Sequence, residues 1–264
     1  MNQALFWIVI ALVGYGVLAF AAARSIYYPM AFPAGQWGVQ AALGAEDVWL
    51  HASDGTRLHA WWIARAGTKW TTLHLHGNAG NISHRDLSAE TITRAGSSVL
   101  LLDYRGYGKS EGRPSEAGLY RDAAAAYEWL RAKDYTPAQI IVHGESLGTA
   151  VAAELASRQP CAGVVLEAPF PSAKAVAHRV LPFLGPLLIS GFDTKSRMDR
   201  IRAPVFVIHG DADEVIAYSL GKQVFDAARG PKRLWTIEGA NHNNLHVLGR
   251  EQFAGRLKDF YDSL

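Results

Sequence analysis

Cysteine is nearly absent. Cys161 is alone, so no disulfide can form within the chain and no cysteine pair can hold a metal. That leaves the compartment open, because exported enzymes also do without disulfides. Cys161 follows Pro160 and leads into an apolar run, so it reads as a small buried hydrophobe. The ten histidines are scattered, with no H-E-x-x-H, and no metal site is expected. No G-x-x-x-x-G-K-[ST] and no G-x-G-x-x-G falls between a strand and a helix, which removes the usual phosphate cradles. Gly106-Tyr107-Gly108 fits a tight turn better than a nucleotide loop. A charge imbalance is also missing. The net charge is +2 and the basic residues are dispersed, which gives no pull toward nucleic acid. Repeats and low-complexity tracts are absent, and no cofactor is expected.

Apolar residues are plentiful, at 49% of the 264, enough for one large α/β domain with a sizeable core. They begin early. Residues 4–23 carry no charge, and a bilayer-spanning helix needs about 20 such residues. Trp7 lies near one end, and Tyr27 and Tyr28 lie past the other, where interfacial aromatics sit. The rival is a cleaved signal peptide, for which Ala19-Phe20-Ala21 or Ala21-Ala22-Ala23 offers a small-residue cleavage site. Met1-Asn2-Gln3 lacks the basic start of a signal peptide, and the run exceeds the ~7–15 residues of its apolar part. The expectation is a single-pass anchor over residues 4–23, with the membrane face of the remaining chain undetermined. Residues 24–45 read as a tether, because Pro29, Pro33, Gly35, Gly38 and Gly44 interrupt regular structure.

From Glu46 to the end, short β-rich runs alternate with helical ones, as in a mostly parallel sheet with helices on both faces. Strands are expected at 46–52, 56–64, 71–76, 98–103, 139–143, 163–167, 204–209 and 233–237, eight in all. Ser53-Asp54-Gly55 turns the first into the second. Helices are expected at 116–133, 147–158, 219–228 and 247–264. About 36 residues separate Glu167 from Pro204, against the usual 2–6 for such a connection. This stretch is apolar and broken by Pro182, Gly185, Pro186 and Gly191. It reads either as a small helical cap over 170–200 or as one ragged crossover helix.

Chemistry concentrates in loops after strands. Gly144-Glu145-Ser146-Leu147-Gly148 sits between an apolar strand and an alanine-rich helix. That context places a serine hydroxyl on a sharp turn, with glycines where side chains would collide, and marks Ser146 as a candidate nucleophile. His76-Gly77-Asn78-Ala79-Gly80-Asn81 follows an earlier strand. Its position suits an oxyanion-binding loop, with the backbone amides of Asn78 and Leu147 as the donor pair. Next come Asp211 and Asp213 after Val205–Gly210, and then His242 in a polar loop after the last strand. Asp213 is the expected acid, with Asp211 as its rival. His242 is the expected base, with His246 as its rival. His76 precedes the serine, against the Ser, Asp, His order, and is expected to shape its loop.

These motifs, with Asp103-Tyr104-Arg105-Gly106-Tyr107-Gly108-Lys109-Ser110-Glu111-Gly112, resemble those of the membrane-anchored α/β-hydrolase-domain proteins, close to the serine aminopeptidase-like hydrolases. The resemblance covers roughly residues 46–264 and rests on five motifs in order. It implies the α/β-hydrolase fold, one N-terminal anchor, and hydrolysis of esters or thioesters, with lipid-like acyl substrates in some members. By matching position it implies Ser146 as nucleophile, Asp213 as acid, His242 as base, and Asn78 and Leu147 as oxyanion donors. Two departures stand out. Asp213-Glu214-Val215-Ile216-Ala217 lacks the proline often found after the apolar pair, and the 170–200 segment matches no motif. The other readings are a serine peptidase on short peptides, which needs an acidic group in the pocket, and a membrane-tethered binding protein without turnover.

Overall fold

The computed structural model describes residues 3–264; Met1 and Asn2 of the uncharged start lie outside them. Its centre is a sheet of eight strands. In chain order these are β1 (Glu46–His51), β2 (Arg57–Ile63), β3 (Trp70–Leu75), β4 (Ser97–Asp103), β5 (Ile140–Glu145), β6 (Gly163–Glu167), β7 (Val205–Gly210) and β8 (Lys232–Ile237). Their spatial order is β8-β7-β6-β5-β3-β4-β2-β1. Pairing is antiparallel at β1–β2 and β2–β4 and parallel elsewhere. Each expected strand is present, with ends shifted by a residue or two, as fraying at element ends would give.

The principal helices are α1 (Gln3–Arg24), α2 (Asp86–Arg94), α3 (Glu116–Ala132), α4 (Leu147–Arg158), α5 (Ala173–Val180), α6 (Tyr218–Ala227) and α7 (Arg250–Tyr261). Helices α3, α4 and α6 cover one face of the sheet, while α2 and α7 cover the other. Alternate residues of each central strand therefore enter different cores. In β4, Leu100 and Leu102 join the first, and Val99 and Leu101 join the second. Both sets are fully buried, which is why the strand reads as an unbroken apolar run. Burying each such side chain stabilises the fold by roughly 1.5–3 kcal/mol.

Two expected elements differ. The last helix is broken at Gly249 into Leu245–Leu248 and α7. A Cβ on Gly249 would lie 2.9 Å from the Leu245 carbonyl oxygen and 3.0 Å from the Phe253 ring, so a side chain cannot fit at the junction. Residues 24–45 are not an open tether. Val39–Leu43 is helical, and Tyr28–Pro29 pairs in parallel with Ala79–Gly80. Asn81 Nδ2 donates to the carbonyls of Met30 and Ala34, and Gln36 N–H donates to Ser83 Oγ. Hydrogen bonds across the fold hold this segment where its own prolines and glycines suggest none.

The connection from β6 to β7 holds α5, a second short helix at Gly185–Leu188 and a 3₁₀ turn at Lys195–Arg200, more than one crossover helix. Gly185 lets the two helices touch, since a Cβ there would fall 2.3 Å from the Ala177 carbonyl. Glu116 anchors the base of the segment by accepting from Phe192 N–H at 2.7 Å.

Candidate active site

The carboxyl ends of the central parallel strands lie level. Leu75 pairs with Gly144, Glu145 with Glu167, and Glu167 with Ile208. Loops leaving these ends converge on one crevice, as in open α/β sheets generally.

Ser146 stands on the first of them. Its backbone has φ 50° and ψ −114°, in the left-handed half of the map where few non-glycine residues sit. Such a conformation costs about 1–3 kcal/mol and persists only when its surroundings fix it. Three features do so here. Ser146 N–H donates to the Glu167 carbonyl at 2.8 Å. A Cβ on Gly148 would lie 1.9 Å from the Leu75 carbonyl oxygen, and one on Gly144 would lie 2.4 Å from the Gly148 oxygen. Strand and helix thus close around the turn at distances only glycine permits.

His242 and Asp213 meet this serine. Ser146 Oγ lies 3.0 Å from His242 Nε2, and His242 Nδ1 lies 2.8 Å from Asp213 Oδ2. The other Asp213 oxygen accepts N–H groups from Val215 and Ile216 at 2.9 and 2.7 Å. Burial pushes the Asp213 carboxyl up, but hydrogen bonds from His209 and His242 override it and hold the group below the usual carboxylate range. The missing family proline leaves no gap. Ala217, at that position, has φ −51°, close to what proline would adopt.

The rival residues are engaged elsewhere. Asp211 accepts from Gly239 N–H at 2.7 Å, tying two loops together. His246 Nε2 sits 2.9 Å from Glu167 Oε2. His76 is buried, with Nδ1 2.7 Å from the Gly77 carbonyl oxygen, and burial pushes it down to about 3. It is therefore neutral and shapes its loop. Cys161 is partly buried, and desolvation pushes its thiol up to about 12, which leaves it inert near neutral pH.

Asn78 and Leu147 both border the crevice beside Ser146. The Asn78 carbonyl accepts from Tyr28 N–H at 3.0 Å and Tyr107 Oη at 2.8 Å, while its side chain donates to the Ile26 carbonyl at 3.0 Å. The residue is pinned on both sides, as a preorganised amide requires.

Three supporting residues have roles that the motifs do not assign. Glu167 holds Ser146 through its carbonyl, while its buried carboxylate bridges His246 and, at 2.6 Å, His143. His209 places Nε2 2.8 Å from the Ile216 carbonyl oxygen and 3.5 Å from Asp213 Oδ2. Arg85 pairs with Glu145, beside the serine, at 2.9 Å. Strand pairing and loop docking create these contacts, so local sequence does not announce them.

Comparison with known proteins bears on the family and the fold. The profile of the family described as Hydrolase_4, serine aminopeptidase S33, matches residues 66–192. A protein of Mycobacterium tuberculosis is 40% identical over 248 residues, 91% of this chain and 88% of that protein. The α/β-hydrolase domain-containing protein 17B of Xenopus tropicalis is 34% identical over 213 residues, covering 79% of this chain and 72% of that protein. The chain belongs to the α/β-hydrolase family of serine hydrolases. The fold likeness reaches further: the Pyrococcus furiosus esterase Pf2001 superposes with a TM-score of 0.76 at 22% identity, over 90% of this chain and 98% of that one.

In this α/β hydrolase the crevice above Ser146 is a cavity of about 520 Å³, of a size for a small-molecule substrate. One wall is the β6–β7 segment, through Phe170, Val176, Val180 and Ile189. Another is the chain just after α1, through Ser25, Ile26 and Tyr28. The stretch expected to be a tether is thus part of the site.

Proposed function

We propose that this hydrolase cleaves carboxylic ester or thioester bonds of acyl or lipid-like substrates by a two-step acyl transfer. The arrangement of Ser146, His242 and Asp213, with 3.0 and 2.8 Å contacts on the floor of an apolar cavity, carries the reading. His242 takes the Ser146 proton as Oγ attacks the carbonyl carbon. The oxyanion rests on the amides of Asn78 and Leu147, the second at the N-terminus of α4. His242 returns the proton to the departing alcohol or thiol, leaving an acyl-Ser146 ester. A water deprotonated by His242 then releases the acid. Asp213 keeps the imidazole oriented and stabilises its charged form.

The peptidase alternative needs a carboxylate for a free amino terminus. Among the described residues lining the cavity, none is acidic. The apolar walls favour an acyl chain instead. The anchor belongs to the same reading: the window Trp7–Arg24 has mean hydropathy 1.9, and none of it is buried against the protein. We place α1 across a bilayer, with residues 24–45 as a docked strap and 170–200 as the cap.

A panel of esters and thioesters of graded acyl length tests this. Turnover should rise with chain length to a limit set by the cavity and vanish in Ser146→Ala. Equal turnover in Ser146→Ala, or a preference for aminoacyl amides over esters, would overturn it.

A further inference from the structure

The cap carries an apolar surface that the cavity does not use. From Val180 to Phe192 the sequence has no charged residue. Within it Phe183 is 87% exposed and Leu187 61%, with Leu181 and Leu184 also exposed. None of these four lines the cavity. In water such a cluster is a liability, and monomeric proteins seldom leave one open without a partner.

Its position relative to α1 identifies the partner. Helix α1 packs along Gly185–Leu188, and the Tyr15 hydroxyl donates to the Leu187 carbonyl. Tyr15 lies some two and a half turns before the end of α1 at Arg24, roughly 13 Å along the axis at ~1.5 Å per residue. Half the hydrocarbon core of a bilayer is about 15 Å. A hydroxyl at that depth in lipid has no water to bond, so a protein carbonyl must meet it. The cap supplies that carbonyl only by reaching into the same leaflet.

We infer that the cap tip, residues 180–189, inserts into the bilayer that holds α1, and that the cavity opens toward the lipid between the cap and the chain after α1. This rests on the reading of α1 as a membrane span. It deepens the proposed function, because an acyl chain would pass from the leaflet along Val180 and Ile189 on one side and Ile26 on the other, all of which line the cavity. The substrate class is then a membrane-resident amphiphile whose scissile carbonyl sits near the interface.

The test uses the full chain in phosphatidylcholine vesicles brominated along the acyl chains. Fluorophores are placed singly at Phe183→Cys, at Val13→Cys in α1 and at Arg158→Cys at the far end of α4, each with Cys161→Ser. Quenching at positions 183 and 13 but not at 158 is expected. Quenching at 13 without quenching at 183 overturns the inference while sparing the anchor, and cross-linking through 183 between copies would then make the tip a dimer surface. Quenching at neither position removes the membrane reading and the inference together. In parallel, Phe183→Asp with Leu184→Asp should lower hydrolysis of a vesicle-borne long-chain ester about tenfold or more while leaving a soluble short ester unchanged. Equal loss on both substrates would contradict the inference.

Discussion

At the scale of single residues, the arrangement makes Ser146, His242 and Asp213 unequal. Removing the hydroxyl or the imidazole removes the attacking pair, so Ser146→Ala and His242→Ala should each abolish measurable ester turnover. Asp213→Asn keeps the shape but inverts the hydrogen bond to Nδ1. It should lower kcat by about 10³–10⁴ with little change in KM, read from steady-state kinetics. An unchanged kcat would contradict the orienting role given to Asp213. These three residues were legible in the sequence because each stands in a short loop directly after an apolar run. Glu167 and His209 were not. Glu167 closes an apolar strand and His209 sits in another, and their roles arise from pairing with β5 and with the turn at Ile216.

At the scale of elements, the strand–turn–helix around Ser146 depends on absent side chains. Gly148→Ala would drive a Cβ into the Leu75 carbonyl, and overpacking of this kind costs about 1–3 kcal/mol or more. A lowered Tm together with lost activity is the expected outcome; a native Tm would mean the strand and helix can separate freely. Below the turn, Glu167 and its two histidines couple stability to pH. Burial raises the Glu167 carboxyl, but the charges of His246 and His143 override it and hold it well under its ordinary 4.5. Burial lowers His246, but the Glu167 charge overrides it and raises the imidazole above its ordinary 6.5. The Glu167 contribution is present above 4.5 and fades as pH falls through its depressed value. The His246 contribution is present below 6.5 and fades as pH rises through its raised value. The Tm gap between wild type and His246→Ala should therefore be widest between those limits and narrow toward alkaline pH. A gap that is flat with pH would show His246 acting only through its stacking on Phe253. The strands themselves were readable from apolar runs, because burial on both faces leaves that mark. The break at Gly249 turns on a close approach to Leu245 and Phe253 that periodicity does not mark, and the docking of residues 24–45 depends on contacts far along the chain, so neither was readable.

At the scale of the whole molecule, the N-terminal strap joins three functions that a linear reading separates. It leaves α1, supplies Ile26 and Tyr28 to the cavity wall, and fixes Asn78 from two sides. On the proposed reading, membrane attachment and the geometry of the oxyanion loop would be coupled through this one segment. Charge placed in α1 should release the chain from the bilayer, since an arginine near the centre of a span costs about 2.5–3.5 kcal/mol on insertion scales. Val13→Arg with Val17→Arg should shift the protein from the membrane pellet to the soluble fraction after a carbonate wash, and retention in the pellet would argue that α1 is not what holds it.

The central claim is an activated serine at position 146, and covalent labelling tests it most directly. Purified full-length protein is treated with a fluorophosphonate, and the modified peptide is identified by mass spectrometry. A single adduct on Ser146, absent from Ser146→Ala and strongly slowed in His242→Ala, is the result this account requires. A folded wild type that stays unmodified, or an adduct on another residue, would contradict it.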